Sequence, residues 1–298
     1  MNKKLILKKL VNKEINKRHI SSYGFLKRFI LYPRMFFQTI NCFILRKLNF
    51  NKFVITNTFW DRKMLVVLPE VVSSDICRFG FIESSVARSI IKFVSRKDVV
   101  IDIGAHFGFF TLLMADLVGP KGEVHSFEPI PSTFKVLEKN SNNFENIQIN
   151  RKAIWRFNEI IYLNDYGINS SAFNSYREPR GLNKKKINRI KVNAINLDEY
   201  IKDKKINPTF IKIDAESTEY EVLLGMDFIL KKIKPVICLE IGDLGVKGAK
   251  NSKNVIKYIL NYGYEVFEFN NLGLFRHKLK DRYSYGNLVF KHPQETTL

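Results

Sequence analysis

Apolar positions in this chain fall into short β-branched runs separated by stretches with helical spacing. That alternation predicts an α/β fold built on a parallel sheet. The sharpest instance is residues 98–129, DVVIDIGAHFGFFTLLMADLVGPKGEVHSFEP. Val99, Val100, Ile101 and Ile103 read as a strand buried on both faces. The run breaks at Gly104 and Gly108, and apolar residues at helical spacing follow through Val118. A Gly119-Pro120-Lys121-Gly122 turn leads to a second strand that ends at Glu128 and Pro129. Beyond it, helical spacing after Pro131 gives way to a third strand expected over residues 147–155. Later strands are expected at Phe210–Ile213, 235–241, 264–269 and 287–290. Upstream, a strand or half-hairpin is expected over residues 59–69 and a helix over 84–95. Residues 158–197 read as an insert of extra strands with a basic loop at 183–191, where substrate selectivity could reside.

The first strand, turn, helix and second strand have the form of a nucleoside-binding βαβ unit. Gly104 and Gly108 let a ligand approach the backbone closely, and Glu128 can accept two hydrogen bonds from vicinal ribose hydroxyls. The spacing Asp102-x-Gly104-x-x-x-Gly108 is not the G-x-G-x-x-G of pyrophosphate binders, and no phosphate-binding G-x-x-x-x-G-K-[ST] loop occurs. An acid at position 102 suits the cationic end of S-adenosylmethionine better than a phosphate. A second acidic cluster, FIKIDAESTEYE, places Asp214, Glu216 and Glu219 at the carboxyl end of another buried strand, which faces the ligand crevice in such sheets. Carboxylates there cost desolvation and need partners, although Glu219 and Glu221 also suit a helix N-terminus. Asp214 and Glu216 are the candidate catalytic residues, as base or as orienting group for a hydroxyl acceptor. His106 is a further candidate base, and Glu240, at the end of the next strand, a candidate for shaping the acceptor pocket. No HExxH motif or cysteine cluster appears, so no metal site is assigned.

The stretches VVIDIGAHFGFFTLLMA, GEVHSFEP, INLDEYI, FIKIDAESTEYEVLLGM and KPVICLEI resemble the FkbM family of S-adenosylmethionine-dependent methyltransferases, over roughly residues 78–270. The family usually has Asn where His106 stands and Gly where Ser217 stands. The resemblance implies a doubly wound, Rossmann-like class I methyltransferase sheet at residues 76–298, preceded by a helical extension at 1–75. It implies S-adenosylmethionine as cofactor, held by Asp102, Gly104, Ala105, His106, Gly108, Glu128 and Pro129, with the adenine beside Ala153. It also places the loop of residues 78–83, RFGFIE, close to the cofactor pocket, which makes Glu83 a candidate site residue. Family members typically O-methylate small molecules or sugars, so a glycan or secondary-metabolite hydroxyl is the expected acceptor. Two alternatives stand beside it: a nucleic-acid (RNA) methyltransferase, and a non-catalytic methyltransferase-fold scaffold at a membrane surface. No N-P-P-Y or D-P-P-Y motif of amino-methylating enzymes occurs.

Charge changes the picture mainly at the N-terminus. The formal net charge of +20 is concentrated in two places. Residues 1–63 carry fifteen Lys/Arg against Glu14 and Asp61, and residues 151–191 carry ten against three acids. Such patches attract polyanions: nucleic acid, anionic lipid or acidic glycan. Phe29, Phe36, Phe37, Ile40, Phe43, Ile44 and Leu48 fall near one helical face, interrupted by Pro33 and too short to span a bilayer. No convincing signal-peptide cleavage site is seen. Cys42, Cys77 and Cys238 are dispersed and suggest a reducing compartment. A cytoplasmic location is expected, with residues 1–50 available for peripheral contact with an anionic membrane at its inner face.

Overall fold

A computed structural model describes residues 1–176, 188–243, 246, 248–270 and 273–293. Three helices open the chain: α1 (Lys3–Ser22), α2 (Phe25–Leu31) and α3 (Pro33–Lys47). The hairpin β1 (Lys52–Asn57) and β2 (Lys63–Leu68) follows, then α4 (Val71–Phe79) and α5 (Ser84–Phe93). The alternating core comprises β3 (Val99–Ile103), α6 (Phe109–Val118), β4 (Glu123–Phe127), α7 (Pro131–Ser141) and β5 (Ile147–Asn150). An insert contributes β6 (Ala153–Ile154), β7 (Glu159–Asp165), a 3-10 turn at Ile168–Phe173 and β8 (Asn188–Ile195). The remainder is α8 (Leu197–Lys204), β9 (Phe210–Ile213), α9 (Glu219–Leu224), β10 (Val236–Ile241), α10 (Ser252–Leu260), β11 (Glu265–Asn270), β12 (Gly273–Arg276) and β13 (Gly286–Lys291).

Eight strands form the main sheet in the order β12-β11-β13-β10-β9-β3-β4-β5. The five from β10 to β5 run parallel, whereas β13 is antiparallel to both β10 and β11. This is a doubly wound, Rossmann-like sheet, with the chain reversing its direction of growth between β3 and β9. Helices cover both faces, and two apolar clusters fill the interfaces. One contains Val100, Phe110, Leu113 and Phe210; the other contains Ile101, Ile211, Leu223, Ile237 and Ile256. Successive residues of β3 thus serve opposite faces, which is why its sequence is a continuous apolar run rather than an alternating one.

Register carries the functional consequence. Ile103 lies beside Phe127 on one side and Ile213 on the other, and Ile213 lies beside Leu239. The next residue of each strand is therefore Gly104, Glu128, Asp214 and Glu240, four positions brought to one edge of the sheet. A one-residue slip would bury each of them on the wrong face.

The expected strand over residues 147–155 is split. β5 ends at Asn150 in the main sheet, and Ala153 and Ile154 instead pair with Ala194 and Ile195 in a separate three-stranded sheet, order β6-β8-β7. Arg151 and Lys152 fall between the two, since two cations have no place in a buried strand. In the insert, residues 183–187 of the expected basic loop lie outside the described residues, and residues 188–191 begin β8. The N-terminal segment has two kinds of contact with the core. Ile6 and Leu10 of α1 join the main apolar cluster, and Glu14 pairs with Arg88 of α5. α2 buries no side chain, and α3 buries Leu45 alone. Among the described residues no helix is long and apolar enough to cross a membrane.

Candidate functional site

A cavity of about 450 Å³ opens at the carboxyl edge of the parallel strands. That is the size of a small-molecule site. Its lining includes Gly104, Ala105, His106, Glu128, Pro129 and Ala153 on one side, and Glu83, Asp214, Glu216, Glu240 and Tyr285 on the other.

The turn after β3 is shaped by close approach. Gly104 has φ +74°, and a Cβ there would stand 1.8 Å from the carbonyl oxygen of Asp214, so only glycine fits. The amides of Gly104 and Ala105 both donate to the carbonyl of Phe127 at 3.0 Å, locking the turn to the end of β4. Gly108, at φ +92°, caps the start of α6. Glu128 then receives the His106 amide on Oε2 and the Ile130 amide on Oε1, each at 3.0 Å. Those bonds fix the orientation of a buried carboxylate and leave further acceptor capacity on both oxygens. Burial pushes its pKa up to about 7, against the opposing pull of the two amides. The His106 ring lies against Phe107 and places Nε2 2.8 Å from Ser171 Oγ. Burial pushes its pKa well below the ordinary imidazole value, which makes it a poor proton acceptor at neutral pH.

Asp102 and Gly108 stand outside the cavity lining. Asp102 is wholly buried below the turn, where Oδ2 accepts from Thr111 Oγ1 at 2.6 Å and Oδ1 lies 3.6 Å from Lys212 Nζ. Its charge is spent inside the protein. Lys212, the one polar side chain of β9, is the hub. Nζ donates to the Gly104 carbonyl at 2.8 Å and pairs with Asp214 Oδ2 at 3.1 Å. Burial lowers its pKa, but Asp214, Asp102 and Glu83 together outweigh that and raise it.

The acidic wall is crowded. Glu83, Asp214 and Glu240 bring one carboxylate oxygen each within 4.8 Å of one another. Groups so close must share protons or attract a cation to relieve their repulsion, and among the described residues these three are the ones that could hold a metal ion. Glu83 is pushed up to about 7, first by burial and then by Asp214. Glu216 and Glu240 are raised well above the carboxylate range, again by burial first and then by neighbouring carboxylates. Glu219 has a structural role, because its Oε1 accepts the amides of Ala215 at 3.2 Å and Ser217 at 3.1 Å and so closes the loop that carries Glu216.

With that geometry in view, the known proteins fall into place. The signature of the methyltransferase FkbM domain matches residues 102–266, more than half the chain. The chain belongs to the FkbM methyltransferase family. It is similar to the hexuronic acid methyltransferase AglP of Haloferax volcanii, 26% identical over 162 residues that make up 52% of this chain and 61% of that one. It thus spans less than two thirds of the length of this relative. Among solved structures it is similar to an FkbM methyltransferase of Methylobacillus flagellatus KT, with 19% identity, 66% of this chain and 44% of that one covered, and a TM-score of 0.41. A second is Aeropyrum pernix fibrillarin in complex with S-adenosyl-L-methionine, with 14% identity, coverages of 70% and 72%, and a TM-score of 0.41.

The two departures from the usual FkbM pattern have different structural weights. Ser217 sits at φ +72°, next to Glu216 at φ +47°, so the position where the family favours glycine is left-handed here as well. His106, at φ +52°, keeps the backbone bond to Glu128 that any residue there could make, and adds the contact to Ser171 from the insert. Lys212, Tyr285 and the insert residues of the lining are not among the site residues expected from sequence. A lysine inside a strand flanked by Ile211 and Ile213 was the available signal: both faces of that strand are buried, so its ammonium had to find carboxylates. Tyr285 and Ser171 arrive through tertiary packing and carry no local signal.

Proposed function

We propose that the protein is an S-adenosylmethionine-dependent O-methyltransferase acting on a sugar hydroxyl. The observation that carries the cofactor assignment is Glu128, a buried carboxylate at a parallel-strand tip, aimed by two backbone amides beside a turn with room for no Cβ at Gly104. These residues fit a nucleoside: Glu128 takes the two ribose hydroxyls, the turn of Gly104–His106 borders the amino-acid end, and Ala153 and Pro129 flank the base. When bound, the cofactor supplies an electrophilic methyl group.

The acidic wall then handles the acceptor. Asp214, held in place by Lys212, orients the hydroxyl, and Glu216, raised by burial and by its neighbours, takes the proton. Holding the acceptor in line with the methyl group supplies the larger part of the catalysis. Four carboxylates face this part of the cavity, and the ammonium of Lys212 is already shared between Asp214 and Asp102. A sugar carboxylate would add a further acid to a wall whose members already share protons, which is unfavourable, so the favoured acceptor is a neutral or amine-bearing sugar. The similarity to a hexuronic acid methyltransferase supports the sugar class, and the electrostatics of this cavity argue for a different charge on it.

The test is transfer of labelled methyl from S-adenosylmethionine to neutral, amino and uronic sugars by wild type, Asp214→Asn and Glu216→Gln. Transfer to a neutral or amino sugar, lowered at least about a hundredfold by Glu216→Gln, is expected. Absence of S-adenosylmethionine binding by folded protein would end the cofactor reading, and preferential methylation of uronates would overturn the acceptor assignment.

A further inference from the structure

The cavity leaves unexplained the most unusual surface of the molecule. Phe25 is 74% exposed, Leu26 69%, Ile30 65%, Phe43 67% and Leu48 69%, all on or beside α2 and α3. Exposed apolar residues in such density are costly unless something covers them. The two helices hold together as one arm through edge-on contacts of Phe36 with Phe25 and Phe29, both at 4.9 Å between ring centres. The arm is fixed to the body at α4 and the turn before it, where Cys42 Sγ meets Ser74 Oγ at 3.5 Å and Arg46 donates to the Pro69 carbonyl at 3.1 Å.

Charge identifies the covering partner. No Asp or Glu occurs between Glu14 and Asp61. Lys27, Arg28, Arg34, Arg46 and Lys47 lie on the arm, all exposed, and among the described residues none of them forms an ion pair. Arg28 is turned to the carbonyls of Tyr23 and Ser21 instead. Two cations of α1 behave differently, with Lys9 on Asp61 and Lys17 on Asp75. α1 is thus tied to the core by ion pairs and apolar packing, whereas α2 and α3 present apolar side chains ringed by unmatched positive charge. We propose that this arm docks the protein on an anionic lipid bilayer, with the aromatic and aliphatic side chains entering the headgroup–acyl boundary and the cations meeting lipid phosphates.

A second copy of the chain fits the surface less well. A two-fold interface brings a patch against itself, and here it would set cations against cations with no carboxylate to answer them. Nucleic acid would satisfy the cations but leave Leu26, Ile30, Ile40, Ile44 and Leu48 in water, because aliphatic side chains offer no stacking surface. With seven and fifteen residues, the helices are too short to cross a bilayer and suited to lie on one.

The experiment is flotation of the full chain with vesicles of equal parts phosphatidylcholine and phosphatidylglycerol, beside vesicles of phosphatidylcholine alone. Wild type floats with the anionic vesicles. Ile30→Glu with Phe43→Glu lowers partitioning at least about a hundredfold, and Lys27→Gln with Arg34→Gln lowers it about tenfold or more on anionic vesicles only. Both pairs alter exposed side chains, so melting temperature and S-adenosylhomocysteine binding stay at the wild-type values. Failure of folded wild type to float overturns the proposal. So does a dimer that the glutamate pair converts to monomer, or RNA binding that survives that pair.

Discussion

Replacing Glu128 by Gln tests the ribose assignment with little change of shape. The carboxylate accepts the His106 and Ile130 amides, one on each oxygen, and keeps one lone pair on each for a ligand hydroxyl. In Gln one oxygen becomes an NH₂ that faces a backbone N–H, so one ligand bond is lost and a buried donor is left unmatched. A hydrogen bond to a charged acceptor is worth roughly 1.5–3 kcal/mol, so S-adenosylhomocysteine affinity at pH 8 falls about 10- to 150-fold. Global stability moves less, because the same change removes a carboxylate that burial already disfavours. Wild-type affinity also strengthens with pH. With the carboxyl pushed up to about 7, only about a tenth of it is ionised at pH 6, so binding there is about tenfold weaker than at pH 8, and the Gln variant loses this dependence. Titration calorimetry at both pH values, with thermal melts, reads all three effects. Affinity of the Gln variant within twofold of wild type at pH 8 would refute the role of Glu128.

Three further outcomes follow from the same geometry. Gly104→Ala places a methyl group inside the Asp214 carbonyl contact at a left-handed backbone position; it destabilises by about 3 kcal/mol or more, read by urea denaturation, and unchanged stability would mean the turn is not packed as described. Lys212→Met leaves Asp102 and Asp214 without their ammonium and costs about 3–5 kcal/mol; adding Asp102→Asn recovers part of that loss in a double-mutant cycle. Stability of the unliganded protein falls as pH rises from about 4.5 to 7, because Glu83, Glu128 and Glu219, each pushed up to about 7, bind more protons folded than unfolded; the drop is on the order of a few kcal/mol, and a flat profile by denaturant titration would contradict the burial that raises them.

How much of this fold and site is legible in the sequence depends on the range over which each constraint acts. The βαβ unit of residues 98–129 is legible because strand, turn and helix are set by neighbours: apolar runs, two positive-φ glycines, and an acid at the next strand tip. Glu128 and Asp214 stand out because a carboxylate ending a buried strand is locally expensive. Asp102 satisfies the same rule but meets its partner across the sheet. Pairing of β3 with β9 puts Asp102 beside Lys212, and nothing in either segment alone reveals that register. The split between β5 and β6 is hidden for a similar reason: Ala153 and Ile154 are as apolar as a sheet strand needs, and their partners come from β8, some forty residues later.

Register also explains why one cation organises the site. Four of the parallel strands share the registered row Ile103, Phe127, Ile213 and Leu239, so the next residues converge whether or not they repel. Three of those, Glu128, Asp214 and Glu240, are carboxylates, and Glu83 joins the last two. Placing Lys212 one step before Ile213 and two before Asp214, beside Asp102, lets a single ammonium reach the Gly104 carbonyl of the turn and the acid of the opposite wall. That links the part of the cavity assigned to the cofactor with the part assigned to the acceptor. Loss of Lys212 should accordingly weaken S-adenosylhomocysteine binding as well as folding, although its side chain lies beneath the turn and not along the side of the cavity that carries Glu128.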